Sequence, residues 1–126
     1  MSKLDFKRSF VPVRIAVLTV SDTRTLSEDK SGDLLATRIR EANHVLVRRE
    51  NTQDEVGKIT RILKYSIQDP DTDVVISTGG TGLTGRDVTP EAFRSIFDKE
   101  IEGFGEMFRF LSFQKIGTST LQSRAV

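Results

Sequence analysis

The stretch from Ser77 to Ala92, Ser-Thr-Gly-Gly-Thr-Gly-Leu-Thr-Gly-Arg-Asp-Val-Thr-Pro-Glu-Ala, constrains this chain more than any other. It follows Asp73-Val74-Val75-Ile76, a β-branched run that reads as a buried strand of a parallel sheet. Four glycines between Gly79 and Gly85 then free the backbone from the limits a Cβ sets, so the loop can take positive φ and lie close to a ligand. Thr89-Pro90 reads as N-cap and first residue of a helix, which ends the loop and turns amide groups back toward it. A glycine-rich turn between a buried strand and a helix N-terminus is a place where anions bind.

Two familiar nucleotide loops do not fit. Gly80, Gly82 and Gly85 satisfy G-x-G-x-x-G, but the dinucleotide fingerprint needs its helix to start inside the motif, and Pro90 delays the helix to about Thr89. No Gly-Lys-Ser or Gly-Lys-Thr follows the glycines, which removes a Walker A loop. What remains is a phosphate-sized pocket carrying Arg86 and Asp87.

A chain of 126 residues makes one domain, here 1–126, with residues 1–12 as a loosely ordered lead-in. Lys+Arg 19 against Asp+Glu 18 leaves net charge +1, so no bulk field recruits nucleic acid or an anionic membrane, and an anion must find a local site. The absence of cysteine and the presence of a single histidine, His44, exclude zinc sites, thiol chemistry and disulfides. No apolar run approaches a membrane span and the N-terminus lacks a signal-peptide core, so the expected location is cytoplasmic.

Along the chain, Arg14 to Val20 predicts the first strand, ending in the polar loop Ser21-Asp22-Thr23-Arg24. Ser31-Gly32-Asp33 predicts a helix start, followed by Leu34, Leu35, Ile39 and Ala42 at helical spacing. His44 to Glu50 predicts a second strand. Thr52 and Glu55 form a capping-box pattern that would place Asp54 in the first turn of the next helix, with Val56, Ile59, Ile62, Leu63 and Ile67 on its apolar face. Asp22 reads equally as the start of an Asx turn, and Asp54 as a carboxylate favoured by the helix dipole. In a parallel sheet, however, Asp22, Asp54 and Asp87 all follow carboxyl ends of strands and can converge on one edge. Carboxylates beside a phosphate loop repel the phosphate unless a divalent cation intervenes, and magnesium is the cation that usually bridges the two. Beyond the loop, Ala92, Phe93, Ile96 and Phe97 form a short helix, Glu102 to Glu106 breaks it, and Met107, Phe108, Phe110, Leu111 and Phe113 crowd a second helix. These aromatics do not fit one stripe, so part of that surface meets another element or a neighbouring subunit.

Four motifs in order resemble the MoaB/Mog family of molybdenum-cofactor biosynthesis proteins. They are Thr19-Val20-Ser21-Asp22, the Ser77–Ala92 loop with its Arg86-Asp87-Val88-Thr89-Pro90, Glu102-Gly-Phe-Gly-Glu106, and Gly117-Thr-Ser-Thr-Leu-Gln-Ser-Arg124. The last, with Phe108 to Gln114 before it, is similar to the MoaB branch. The resemblance implies a three-layer α/β/α sandwich with a mostly parallel sheet, lacking here the family's C-terminal strand and helix, and a homo-trimer or hexamer. It implies adenylyl transfer from Mg-ATP to the terminal phosphate of molybdopterin, giving adenylyl-molybdopterin and pyrophosphate, with Mg2+ as the metal and neither zinc nor haem. By the same resemblance Asp54 and Asp87 are catalytic, Gly79, Gly80, Thr81 and Gly82 would take the pterin phosphate and nucleotide, and Asp22, Glu106, Ser119 and Ser123 lie near the pocket. The charge argument adds that Asp54 and Asp87 would hold the magnesium and Arg86 would offset phosphate charge. Two other readings are a non-catalytic pterin-binding homologue and an oligomeric scaffold in which the loop serves packing alone.

Overall fold

The computed structural model describes residues 4–23 and 25–126, so Arg24 and residues 1–3 of the expected lead-in lie outside the described residues. Three parallel strands, β1 (Arg14–Val20), β2 (Val45–Thr52) and β3 (Val74–Thr78), lie in the order β2-β1-β3. Val17 of β1 pairs with Arg49 on one side and Ile76 on the other. β1 is therefore covered on both faces and both edges. That is why its run is apolar without alternation.

Successive residues of β1 serve opposite layers, as a period of two requires. Ile15 and Val17 pack with Ile39 of α1 (Lys30–Glu41), joined by Leu35, Leu46 and Ile76. Leu18 and Val20 pack with Ile59 and Leu63 of α2 (Val56–Gln68) and Ala92 of α3 (Thr89–Arg94), joined by Val75, Phe93 and Ile96. One helix on one face and two on the other make the expected three-layer α/β/α arrangement. Ile59 is 0% exposed and Leu63 2%, and complete burial of such side chains contributes about 1.5–3 kcal/mol each. An apolar groove of about 600 Å3, lined by Leu63, Ile67, Val75, Phe93 and Ile96, runs along the β3 side of the sheet. No helix among the described residues is long and apolar enough to cross a membrane.

Local boundaries depart from the sequence reading: α3 ends at Arg94, so Ile96 and Phe97 follow the short helix rather than lie in it, and four helix starts differ. α1 begins one residue before Ser31, with buried Asp29 as its N-cap accepting the Gly32 amide at 2.9 Å. Asp29 also accepts the Thr19 hydroxyl of β1 at 2.5 Å and lies 3.4 Å from an Arg49 nitrogen of β2. Burial pushes its carboxyl up, but these donors together hold it below its ordinary value. Second, Thr52 does not cap α2. β2 runs on to Thr52, whose carbonyl accepts the Ser21 amide at 2.8 Å, so the helix starts at Val56 and Asp54 lies in the preceding turn. Third, Val88 occupies the N-cap of α3, and the Thr89 hydroxyl donates to the Gly79 carbonyl at 2.8 Å. Fourth, Glu102 to Glu106 is no break but the start of α4 (Glu102–Ile116). Gly105 there is buried because a Cβ would stand 2.5 Å from the Ala125 carbonyl. A 3-10 turn, Gly117–Gln122, follows, and its Thr120 hydroxyl donates to the Arg109 carbonyl at 3.3 Å. Phe104, Met107, Phe108, Phe110, Leu111 and Phe113 of α4 are exposed.

Candidate functional site

The carboxyl ends of the three strands deliver Ser21-Asp22, Gln53-Asp54 and the glycine loop to one edge of the sheet, the position where open parallel sheets bind ligands. Asp22 Oδ1 accepts the Asp54 backbone amide at 3.0 Å, and both Asp22 carboxylate oxygens accept Arg86, from Nε and Nη2, each at 2.9 Å. One carboxylate thus ties the end of β1 to the turn after β2 and to the loop after β3. Arg86 and then the Asp54 amide hold the Asp22 carboxyl below its ordinary value.

The glycine loop is built on two left-handed residues, Gly79 (φ 95°) and Gly80 (φ 67°). At Gly79 a Cβ would run into the Val20 carbonyl of β1, and at Gly80 into the Thr89 hydroxyl and to 2.8 Å from Asp54 Oδ1. The two glycines therefore let the backbone pass against both β1 and Asp54. The Thr89 amide donates to the Gly80 carbonyl at 3.0 Å, closing the loop at its neck. Asp87 caps the far limb, its Oδ2 accepting the Thr84 hydroxyl at 2.7 Å and the Thr84 amide at 3.0 Å. These two bonds, hydroxyl first, keep Asp87 ionised below the usual carboxylate range.

Asp54 responds in the opposite direction. Burial first, then the charges of Asp22 and Asp87, push its carboxyl up, and Arg86 offsets them only in part. Asp22 and Asp54 thus meet at this edge through the Asp54 amide, and the charge of Asp87 acts on Asp54. Among the described residues no group of three or more His, Asp or Glu side chains is arranged to hold a metal ion. Two carboxylates with room for phosphate and water ligands are the usual donor set for magnesium, and the crowding of negative charge at Asp54 is the condition that a cation relieves.

The remaining expected residues sit across the loop, around the C-terminal segment. Glu106 lines a polar cavity of about 300 Å3 with Arg94, Glu100, Glu102, Arg109 and Arg124. The Ser123 carbonyl accepts from Arg109 at 3.4 Å. Ser119 is exposed on the 3-10 turn, and no side-chain hydrogen bond joins it to the glycine loop among the described residues. Arg124, which the sequence reading did not place among the site residues, connects the two groups. It hydrogen-bonds to loop carbonyls on one side and lines the cavity of Glu106 on the other. Thr84 was missed as well. Its signal was local, a threonine three residues before Asp87, whereas nothing near Arg124 in sequence marks a partner more than thirty residues away.

Comparison with known proteins decides the family. Residues 16–126 match the family described as a probable molybdopterin binding domain. The chain belongs to this molybdopterin-binding domain family. Within it, the chain is 50% identical over 117 residues to "Molybdenum cofactor biosynthesis protein B" of Escherichia coli (strain K12), covering 93% of this chain and 69% of that protein. It is 46% identical over 114 residues to the protein of the same name from Bacillus subtilis (strain 168), covering 90% and 67%. A crystal structure of a molybdenum cofactor biosynthesis protein B superposes with TM-score 0.89 at 44% identity, covering 94% of this chain and 74% of that one. The tungsten cofactor synthesizing protein MoaB from Pyrococcus furiosus superposes with TM-score 0.79 at 35% identity, covering 92% and 72%. The family's molybdopterin-binding fold thus coincides with the fold on which the strand-end site of this chain is built.

Proposed function

We propose that the protein acts in molybdenum cofactor biosynthesis by transferring the adenylyl group of ATP to the terminal phosphate of molybdopterin. The observation that carries this reading is the contact of the glycine loop with Asp54. Gly80 approaches so closely that a methyl group there would sit 2.8 Å from Asp54 Oδ1, which sets a carboxylate crowded by two others beside a loop suited to phosphates.

In the reaction a phosphate oxygen of the pterin attacks the α-phosphorus of ATP, a P–O bond forms, and the bond to the β-phosphate breaks with release of pyrophosphate. The nucleophile is already an oxyanion, so no histidine, cysteine or activated serine is required, in keeping with the edge's composition. Positioning and charge neutralisation then supply the rate. Magnesium, held by Asp54 and Asp87, would neutralise the phosphates and the leaving pyrophosphate. The loop from Gly79 to Gly82 seats the phosphates, with Arg86, held beside the loop by Asp22, offsetting their charge. The exposed apolar side chains of α4 suit a homo-oligomeric assembly, and the reaction's substrates suit the cytoplasm.

The test is turnover of molybdopterin, ATP and magnesium by wild type and by Asp87→Ala. Wild type should release pyrophosphate and form an adenylylated pterin, and the variant should lose this at unchanged folding. Full activity of the folded variant would remove Asp87 from the chemistry.

A further inference from the structure

Arg124 uses every nitrogen of its guanidinium. Nε donates to the Gly82 carbonyl at 2.9 Å and the Thr81 carbonyl at 3.3 Å, and Nη2 to the Asp87 carbonyl at 2.8 Å. Nη1 meets both carboxylate oxygens of Glu91, at 2.9 and 2.8 Å. The Arg124 backbone amide adds a bond to the Thr81 carbonyl at 3.2 Å. One side chain therefore grips the entering limb of the glycine loop, its leaving limb, and the helix that follows. A planar five-donor fork can do this, whereas the point charge of a lysine cannot.

Its backing is rigid. The close fit of Gly105 against the Ala125 carbonyl and the bond from Arg109 to the Ser123 carbonyl seat residues 123–125 on α4. Arg124 is 27% exposed, so its bonds are partly shielded from water.

The carbonyl and the following amide of a planar trans peptide point in opposite directions. Thr81, Gly82 and Asp87 turn their carbonyls to Arg124, so the amides of Gly82, Leu83 and Val88 turn away from it. The Gly82 amide accordingly faces the Asp87 carboxylate. Were these peptides to flip, carbonyl oxygens would face an arriving phosphate and repel it.

We infer that Arg124 is a positioning residue, which gathers the loop carbonyls to one side so that the Gly82 amide is held toward Asp87 and the amides of Leu83 and Val88 are left on the side open to phosphate. Its consequence for turnover rests on the adenylyl-transfer reading above. Its consequence for the loop does not.

The experiment compares wild type, Arg124→Lys and Arg124→Ala by amide hydrogen exchange and by steady-state kinetics with magnesium-ATP and molybdopterin. Arg124→Lys keeps the charge, and exchange in β1 reports whether each variant is folded. Exchange across residues 81–88 should accelerate about tenfold or more in both variants while β1 stays protected. The kcat should fall by about 100-fold, and by a larger factor than KM rises, as expected for misplaced reacting groups. A merely structural role would lower Tm but leave kcat per folded molecule unchanged. Wild-type exchange at 81–88 in Arg124→Lys, or kcat of either folded variant within about twofold of wild type, would overturn the inference. A wild type without turnover would count against the adenylyl-transfer reading, and exchange alone would then decide Arg124.

Discussion

Gly80 and Gly57 carry the same atoms in opposite settings, and replacing each by alanine gives changes of opposite sign. Gly80 sits at φ 67° with its missing Cβ aimed at the Thr89 hydroxyl, at Asp54 Oδ1 (2.8 Å) and at Val20 Cγ1 (3.2 Å). Alanine in the left-handed region costs about 1–2 kcal/mol. Displacing the Thr89 hydroxyl from the Gly79 carbonyl removes a hydrogen bond worth about 1 kcal/mol. The sum is about 2–3 kcal/mol, which for a domain of this size lowers Tm by roughly 10 °C. Gly57, in the first turn of α2, has nothing within 4 Å of its absent Cβ, and Gly57→Ala should stabilise by about 0.5–1 kcal/mol. Thermal unfolding by circular dichroism reads both. A Gly80→Ala Tm within about 2 °C of wild type, or a destabilised Gly57→Ala, would refute the reasoning that the loop is held against Asp54 by backbone conformation.

Three other perturbations follow from the same contacts. Burial and two neighbouring charges raise the Asp54 carboxyl, so its ionisation in the native state costs stability as pH rises through and above the ordinary carboxylate range; Asp54→Asn should raise Tm at neutral pH, lose that advantage in acid, and abolish turnover. A variant less stable than wild type at pH 7 would contradict the crowding of that edge. Asp73 binds the Arg14 backbone and guanidinium at 2.9–3.0 Å, chiefly the side-chain bond, and is held down at about 2; the stability it gives is present above about pH 4 and fades as pH falls toward 2, so Asp73→Asn should flatten that part of the acid-unfolding curve. Light scattering should find an assembly larger than one chain, reduced by a paired Phe108→Asp, Phe110→Asp substitution; a monomeric wild type would show that the exposed side chains of α4 do not mediate self-association.

The sheet was legible because its order follows from runs of β-branched residues. The interval Arg14–Val20 agrees with β1 at both ends, since a central strand has no exposed face to blur its pattern. The glycine loop was legible for a similar reason, because Gly79 and Gly80 occupy backbone states that other residues avoid. Helix starts were less so. Thr52 and Glu55 carry the letters of a capping box, but hydrogen bonding to Ser21 draws Thr52 into β2, a long-range contact that overrides the local signal. Gly103 and Gly105 look like breakers, yet Gly105 lies inside α4 because the Ala125 backbone needs its space. At the site, the gathering of Asp22 and Asp54 follows from strand order, whereas the grip of Arg124 on three loop carbonyls depends on how α4 folds back, which no local pattern encodes.

The central claim is that the phosphorus transferred at this strand edge is the α-phosphorus of ATP. The direct measurement incubates the protein with molybdopterin, magnesium and ATP labelled at either the α- or the γ-phosphate, then separates pterin from pyrophosphate. The account predicts α-label in the pterin and γ-label in pyrophosphate. Label from the γ-phosphate in the pterin would contradict it, and so would pterin that binds saturably yet acquires no label at all.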